Sequence, residues 1–175
     1  MPIKKLIRTI PNYPKTGIMF RDITTLIKDR NGLSLIVNEF CDRYAGLKID
    51  KVAGIESRGF IIGSPLAYEL GVGFIPIRKK DKLPAKTIGC DYELEYGTDR
   101  IEIHEDAISA GENILLVDDL IATGGTAEAA ITLIKKCGGN IVECSFVVEL
   151  PELGGKKRLE EMGVSVYSLT AFEGH

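Results

Sequence analysis

The chain predicts an α/β fold: a central, mainly parallel sheet flanked by helices. Three observations carry it. Apolar β-branched runs recur along the 175 residues, "KVAGI" (51–55), "VGFIPI" (72–77), "NILLVD" (113–118), "IVECSFVVEL" (141–150) and "VSVYSL" (164–169). They are near-continuously hydrophobic, as strands buried on both faces are. Segments of helical period lie between them, as parallel strands require for their crossovers.

Taken in order, the first 30 residues are rich in turn formers ("PNYPKTG") and predict a small N-terminal hood rather than a sheet strand. "NGLSLIVNEFCDRYAG" predicts a helix ending at Gly46. The span from Arg78 to His104 breaks the rhythm. Its polar start, "RKKDKLPAKTIG", predicts a flexible loop, and "YELEYGTDRIEI" alternates like an antiparallel hairpin turning at Gly97-Thr98-Asp99. "GTAEAAITLIKKCGG" sets Ala127, Ala130, Ile131 and Ile134 at helical spacing, with Lys135 and Lys136 near its end and Gly138 and Gly139 as its stop. "GGKKRLEEMG" predicts a shorter helix ending at Gly163. The expectation is one domain over 1–175, with 1–30 as the hood and 78–104 as a flexible catalytic loop and hairpin.

A composition with 45% hydrophobic and 27% charged residues is that of an ordinary globular protein. The formal net charge of −3 argues against a general nucleic-acid binder, which needs a cationic surplus. No stretch has the apolar length of a signal peptide or a membrane helix, so a cytoplasmic protein is expected. Cys41, Cys90, Cys137 and Cys144 show no CxxC spacing and read as thiols rather than zinc ligands. His104 reads as a surface residue, and His175 carries no signal.

The chemistry concentrates in "ILLVDDLIATGGTA" (114–127). Two carboxylates, Asp118 and Asp119, stand side by side at the end of a buried run, where mutual repulsion and burial demand compensation by hydroxyls or a metal. The small-residue loop Ala122, Thr123, Gly124, Gly125 and Thr126 then leads into a helix. Free backbone N–H groups and the positive end of the helix dipole suit a phosphate there, and ligands gather at strand carboxyl ends in such sheets. The P-loop lysine and a G-x-G-x-x-G after a strand are both missing, which points to a monophosphate. The bland alternative is an N-cap by Thr123 or Thr126, with the acids only complementing the dipole.

Over its thirteen positions, "ILLVDDLIATGGT" resembles the phosphoribosyl-diphosphate (PRPP) binding signature of the type I phosphoribosyltransferases. "PNYPKTGIMFRDIT", "GIESRGF", "FIPIRKKDKLP" and "YELEYG" extend the resemblance, toward the adenine-using members, over nearly the whole chain. It implies transfer of the 5-phosphoribosyl group from PRPP to adenine, giving AMP and pyrophosphate, with Mg²⁺ held mainly through PRPP, in a homodimer without nucleic acid or membrane. The alternatives are an oxo-purine (hypoxanthine, guanine or xanthine) as acceptor, or a PRPP- or nucleotide-sensing regulator.

The same resemblance implies the roles. Ser57, Arg58 and Gly59 would meet the pyrophosphate, after an unusual Glu56-Ser57 peptide. Arg78, Lys79 and Lys82 would add positive charge there, reaching toward a neighbouring subunit's site. Met19, Phe20 and Arg21 would cover the adenine, with Phe20 as the stacking face. Glu95 would be the general base and Tyr96 would help close the lid, while Asp118 and Asp119 would meet the ribose hydroxyls. Read without the resemblance, Phe20 is a core residue, Glu95 an exposed hairpin residue and Arg58 a surface ion-pair partner.

Overall fold

The computed structural model of the chain describes residues 2–94 and 96–174. A seven-stranded sheet forms its centre. Its strands are β3 (Lys51–Ile55), β4 (Gly73–Lys79), β5 (Thr87–Glu93), β6 (Thr98–His104), β7 (Asn113–Ile121), β8 (Asn140–Glu149) and β9 (Val166–Ala171). The spatial order is β5-β6-β4-β3-β7-β8-β9. The five strands from β4 to β9 in that order pair in parallel, while β6 and β5 add an antiparallel edge.

All five sequence-predicted strands are present, with ends shifted by a few residues. The largest shift matters most: β7 does not stop at Asp118 but stays paired with β8 through Ile121. Both acids therefore belong to the strand, and the phosphate-type loop shrinks to the residues between Ile121 and α5 (Gly125–Lys136).

Helices cover both faces. On one lie α3 (Arg30–Tyr44) and α4 (Arg58–Leu70), which pack Ile36, Phe40, Ile62 and Leu66 onto Val52, Leu115, Val117 and Val147. On the other lie α5 and α6 (Gly155–Glu161), which pack Ala130, Ile131, Ile134 and Leu159 onto Ala53, Leu116 and Phe146. Successive strand residues alternate between the two cores, as the pleat dictates. Asp29 caps α3 by accepting from the Gly32 N–H at 2.8 Å.

Helix α4 escapes the sequence reading because Gly59, Gly63 and Pro65 lower its helical propensity. The fold needs both glycines. A Cβ on Gly63 would meet the Phe74 ring at 2.7 Å, and one on Gly59 would meet the Val117 carbonyl at 3.0 Å. The helix thus lies close on β3, β4 and β7, and its first turn abuts the acids.

Residues 80–86 carry no strand, and the expected hairpin follows them, but it starts earlier than the sequence suggests and turns before Thr98, so Thr98 and Asp99 lie in β6. Strand β5 begins at Thr87, inside the polar stretch, and pairs with β6 from Thr87↔His104 to Glu93↔Thr98. Its apolar face, Ile88, Cys90 and Tyr92, packs against the core and alternates with Gly89 and Asp91, a short pattern that begins inside the polar stretch. In the N-terminal region, α1 (Pro2–Leu6), α2 (Thr24–Ile27) and the antiparallel pair β1 (Arg8–Pro11) and β2 (Met19–Asp22) form a layer separate from the main sheet. Among the described residues, no helix is long and apolar enough to cross a membrane.

Candidate active site

The sheet supplies the place before any side chain is considered. From β3 the chain moves to β4 on one side, whereas β7 lies on the other, so the strand order reverses between β3 and β7. Ligands of open parallel sheets collect beyond the carboxyl ends at such a switch point. There the cleft opens, about 410 Å³ in volume.

Its floor is the end of β7 and the loop that follows. Asp118 and Asp119 line it, as do Ala122, Thr123, Gly124, Gly125 and Thr126. Among the described residues no side chain caps α5: its N-cap is Gly124, at φ 87°, a left-handed conformation that favours glycine. The expected alternative of a threonine cap is thereby removed, and the N–H groups of the first turn have no intrahelical partner. Behind the loop, Gly155 donates its N–H to the Ala122 carbonyl at 3.0 Å. A Cβ on Gly155 would lie 2.5 Å from that carbonyl oxygen, so α6 buttresses the loop by direct backbone contact.

The acids are compensated unequally. Asp119, buried, accepts from Nε of Arg58, the first residue of α4. This ion pair bridges the ends of β3 and β7, and it is a compensation that the sequence reading, weighing hydroxyls and a metal, left out. Asp118 accepts from the Asp119 N–H at 2.8 Å, and burial together with the neighbouring Asp119 charge pushes its carboxyl well above the usual carboxylate range.

Of the other residues singled out above, Ser57 is the N-cap of α4, after a cis Glu56–Ser57 peptide. Gly59 lies buried beneath the acids, where its work is close packing. Arg78 donates through Nε to Glu56 Oε1 at 3.3 Å, and Lys79 lines the cleft with its Nζ on Asp99 Oδ2 at 2.6 Å. Lys82 is exposed and outside the lining.

Phe20 and Arg21 close one side of the cleft, whereas Met19 is exposed beside them. The Phe20 ring meets Tyr13 edge-on at 5.2 Å between centroids. Arg21 sends Nη1 to Thr9 Oγ1 at 2.7 Å and Nη2 to the Gly174 carbonyl at 2.7 Å. Tyr96, at the hairpin tip, receives Lys15 Nζ at 4.8 Å from its ring centroid, so tip and hood touch across the cleft. Glu95 lies outside the described residues.

Two site residues were missed. Tyr92 lines the cleft from β5 and donates its hydroxyl to Asp99 Oδ2 at 3.2 Å, the same oxygen that takes Lys79. The Lys79 bond is the chief reason the Asp99 carboxyl sits below its ordinary value. Only their cross-strand pairing, Tyr92↔Asp99, brings the two together, and fixing that register in the sequence would have identified them.

Comparison with known proteins agrees with this geometry. The family model of the phosphoribosyl transferase domain matches residues 19–168. The chain is 66% identical over 175 residues, the full length of both, to the adenine phosphoribosyltransferase of Nitrosospira multiformis. Among solved structures, the adenine phosphoribosyltransferase of Thermoanaerobacter pseudethanolicus superposes with a TM-score of 0.93 at 47% identity, covering 98% of each chain. The Saccharomyces cerevisiae enzyme, solved with an imino-altritol bisphosphate and adenine, superposes with a TM-score of 0.90 at 40% identity, covering 96% of each chain.

Proposed function

Because the chain belongs to the phosphoribosyltransferase family, we propose that its cleft transfers the 5-phosphoribosyl group of PRPP to adenine, giving AMP and pyrophosphate in purine salvage. One observation carries the reading: an uncapped helix N-terminus and a carboxylate pair share one cleft at the switch point of the sheet.

Each part of PRPP meets suitable chemistry. The 5-phosphate takes the loop Ala122, Thr123, Gly124, Gly125 and Thr126, where N–H groups and the helix dipole favour an anion. The 2- and 3-hydroxyls donate to Asp118 and Asp119. Arg58 and Lys79 line the cleft and bring to it the positive charge that an acidic chain lacks on average, so the pyrophosphate is assigned to them. Ser57 and Arg78 are assigned to the same side as their chain neighbours, Gly59 supports it by packing, and Lys82 stays outside the lining.

Adenine enters under Phe20 and Arg21, which line the cleft, with the exposed Met19 beside them and the Phe20 ring as its stacking partner. Its nitrogen forms a bond to C1 of the ribose as the bond from C1 to the pyrophosphate oxygen breaks. The proton leaving that nitrogen passes to Glu95. The contact of Tyr96 with Lys15 closes the hairpin over the hood, which keeps water from a cation-like sugar.

Mg²⁺ suits this donor set, since it binds through one or two carboxylates together with substrate phosphates and water, and Asp118 and Asp119 offer such oxygens to the cleft. When bound, it neutralises diphosphate charge. The enzyme is further proposed to be a cytoplasmic homodimer.

The test is pyrophosphate release with Mg²⁺ and PRPP, offering adenine, hypoxanthine, guanine and xanthine separately. Release with adenine alone is expected, and Glu95→Gln should slow it by about 10²- to 10⁴-fold while PRPP still binds. Release with an oxo-purine would overturn the base assignment, and none with any base would favour a PRPP-sensing regulator.

A further inference from the structure

Arg21 stands at the cleft, yet most of its guanidinium is spent elsewhere. Nη2 donates to the carbonyls of Gly174 at 2.7 Å and Glu173 at 3.2 Å, more than 150 residues away in the sequence. The guanidinium carbon lies 4.5 Å from the Phe172 ring centroid, and Lys4 Nζ lies 4.8 Å from the same centroid.

The segment that receives Arg21 is itself anchored. Phe172 donates its N–H to the Glu149 carbonyl at the end of β8 at 3.0 Å, and Gly174 donates its N–H to Glu152 Oε1 at 3.2 Å. Glu149 is in register with Ile121, the last residue of the strand that carries the acids. A continuous path therefore runs from the floor of the cleft, through the C-terminal segment, to the strand that covers it.

Strand β2 is anchored at its far end, where Asp22 accepts from Arg8 and Thr24 and the following Ile23 and Leu26 are buried in the core, so the Phe20-Arg21 end is the part left to be fixed. The strand's ladder partner is β1, and that pair is not hydrogen-bonded into the main sheet. A guanidinium bound to two carbonyls and set over a ring is a directional tie, because the planar fork fixes orientation as well as distance.

We infer that residues 172–174 form a latch that sets the height of the Phe20-Arg21 segment over the base, making Phe172 a positioning residue for adenine. The inference rests on the base-site reading given above. It requires that loosening the latch weaken the base and leave PRPP untouched, since the phosphate loop and the acids belong to other elements.

Steady-state constants for both substrates test it. Phe172→Leu keeps the apolar volume and removes the ring face, and a chain ending at Phe172 keeps the ring and removes both carbonyls. Each should raise KM for adenine about tenfold, in line with cation–π and charge-assisted contacts, with kcat and KM for PRPP within about twofold of the parent. Phe172→Tyr should retain the parent values. Phe20→Ala separates the two readings. If it raises KM for adenine while the Phe172 variants, folded as the parent by circular dichroism, leave that constant alone, the latch is wrong and the base site stands. If Phe20→Ala leaves the constant unchanged, the base-site reading itself fails. A parallel loss in kcat and in both KM values would mean a merely structural tail, and would also overturn the latch.

Discussion

Asp118 and Asp119 are neighbours in a strand, and successive strand side chains face opposite sides, so their surroundings differ despite their adjacency. Asp119 reaches Arg58, while Asp118 has burial and a like charge beside it, which raise its carboxyl well above the ordinary 3.8. A carboxyl raised on folding costs stability once pH exceeds its unfolded value, and the cost is complete above its folded value. Asn at this position keeps an Oδ1 to accept from the Asp119 N–H and removes the charge. Asp118→Asn should therefore raise Tm at pH 7 and lower activity with PRPP, as stabilising changes at functional sites tend to do. For a chain of this size, ~1 kcal/mol reads as about 2–4 °C. Melting curves across pH check the sign: the gain should shrink as pH falls toward 4 and vanish below the unfolded value. A gain independent of pH would mean that packing, not charge, is responsible.

At the scale of elements, the phosphate-type loop depends on a helix that never enters the cleft. Gly155, at the start of α6, holds the Ala122 carbonyl and lies 3.0 Å from where a Cβ on Gly124 would stand. A methyl group on Gly155 would press on the Ala122 oxygen at 2.5 Å and the Gly124 nitrogen at 3.0 Å, both backbone atoms that yield only if the loop moves. Gly155→Ala should cost about 1–3 kcal/mol in overpacking and raise KM for PRPP while KM for adenine changes little. Denaturant unfolding with both constants measures this, and an unchanged KM for PRPP would show that the loop holds its shape without α6. The sequence carries the loop itself plainly, since T-G-G after two acids is local. Its buttress is not legible there, because "GGKK" reads only as a helix start and the approach of α6 to Ala122 is decided by tertiary packing.

For the whole molecule, what was legible divides by range. The parallel strands and α3, α5 and α6 are visible because burial writes a local period into them. Helix α4 is hidden by glycines that serve contacts with β3, β4 and β7, and the Arg58–Asp119 and Arg21–Gly174 contacts join distant segments. The proposed dimer belongs to this scale too. Helix α4 turns Ile62 and Leu66 inward, yet Ile61 is 43% exposed and Tyr68 83% exposed on its outer side. A seven-residue spacing places those two on one face, two turns apart. Scattered apolar residues need no explanation, but two aligned on the helix whose first residue holds Asp119 would, if covered by a second copy, tie association to the cleft. Ile61→Asp with Tyr68→Asp should halve the mass seen by sedimentation and lower activity, while an unchanged mass would place the interface on another face or remove it.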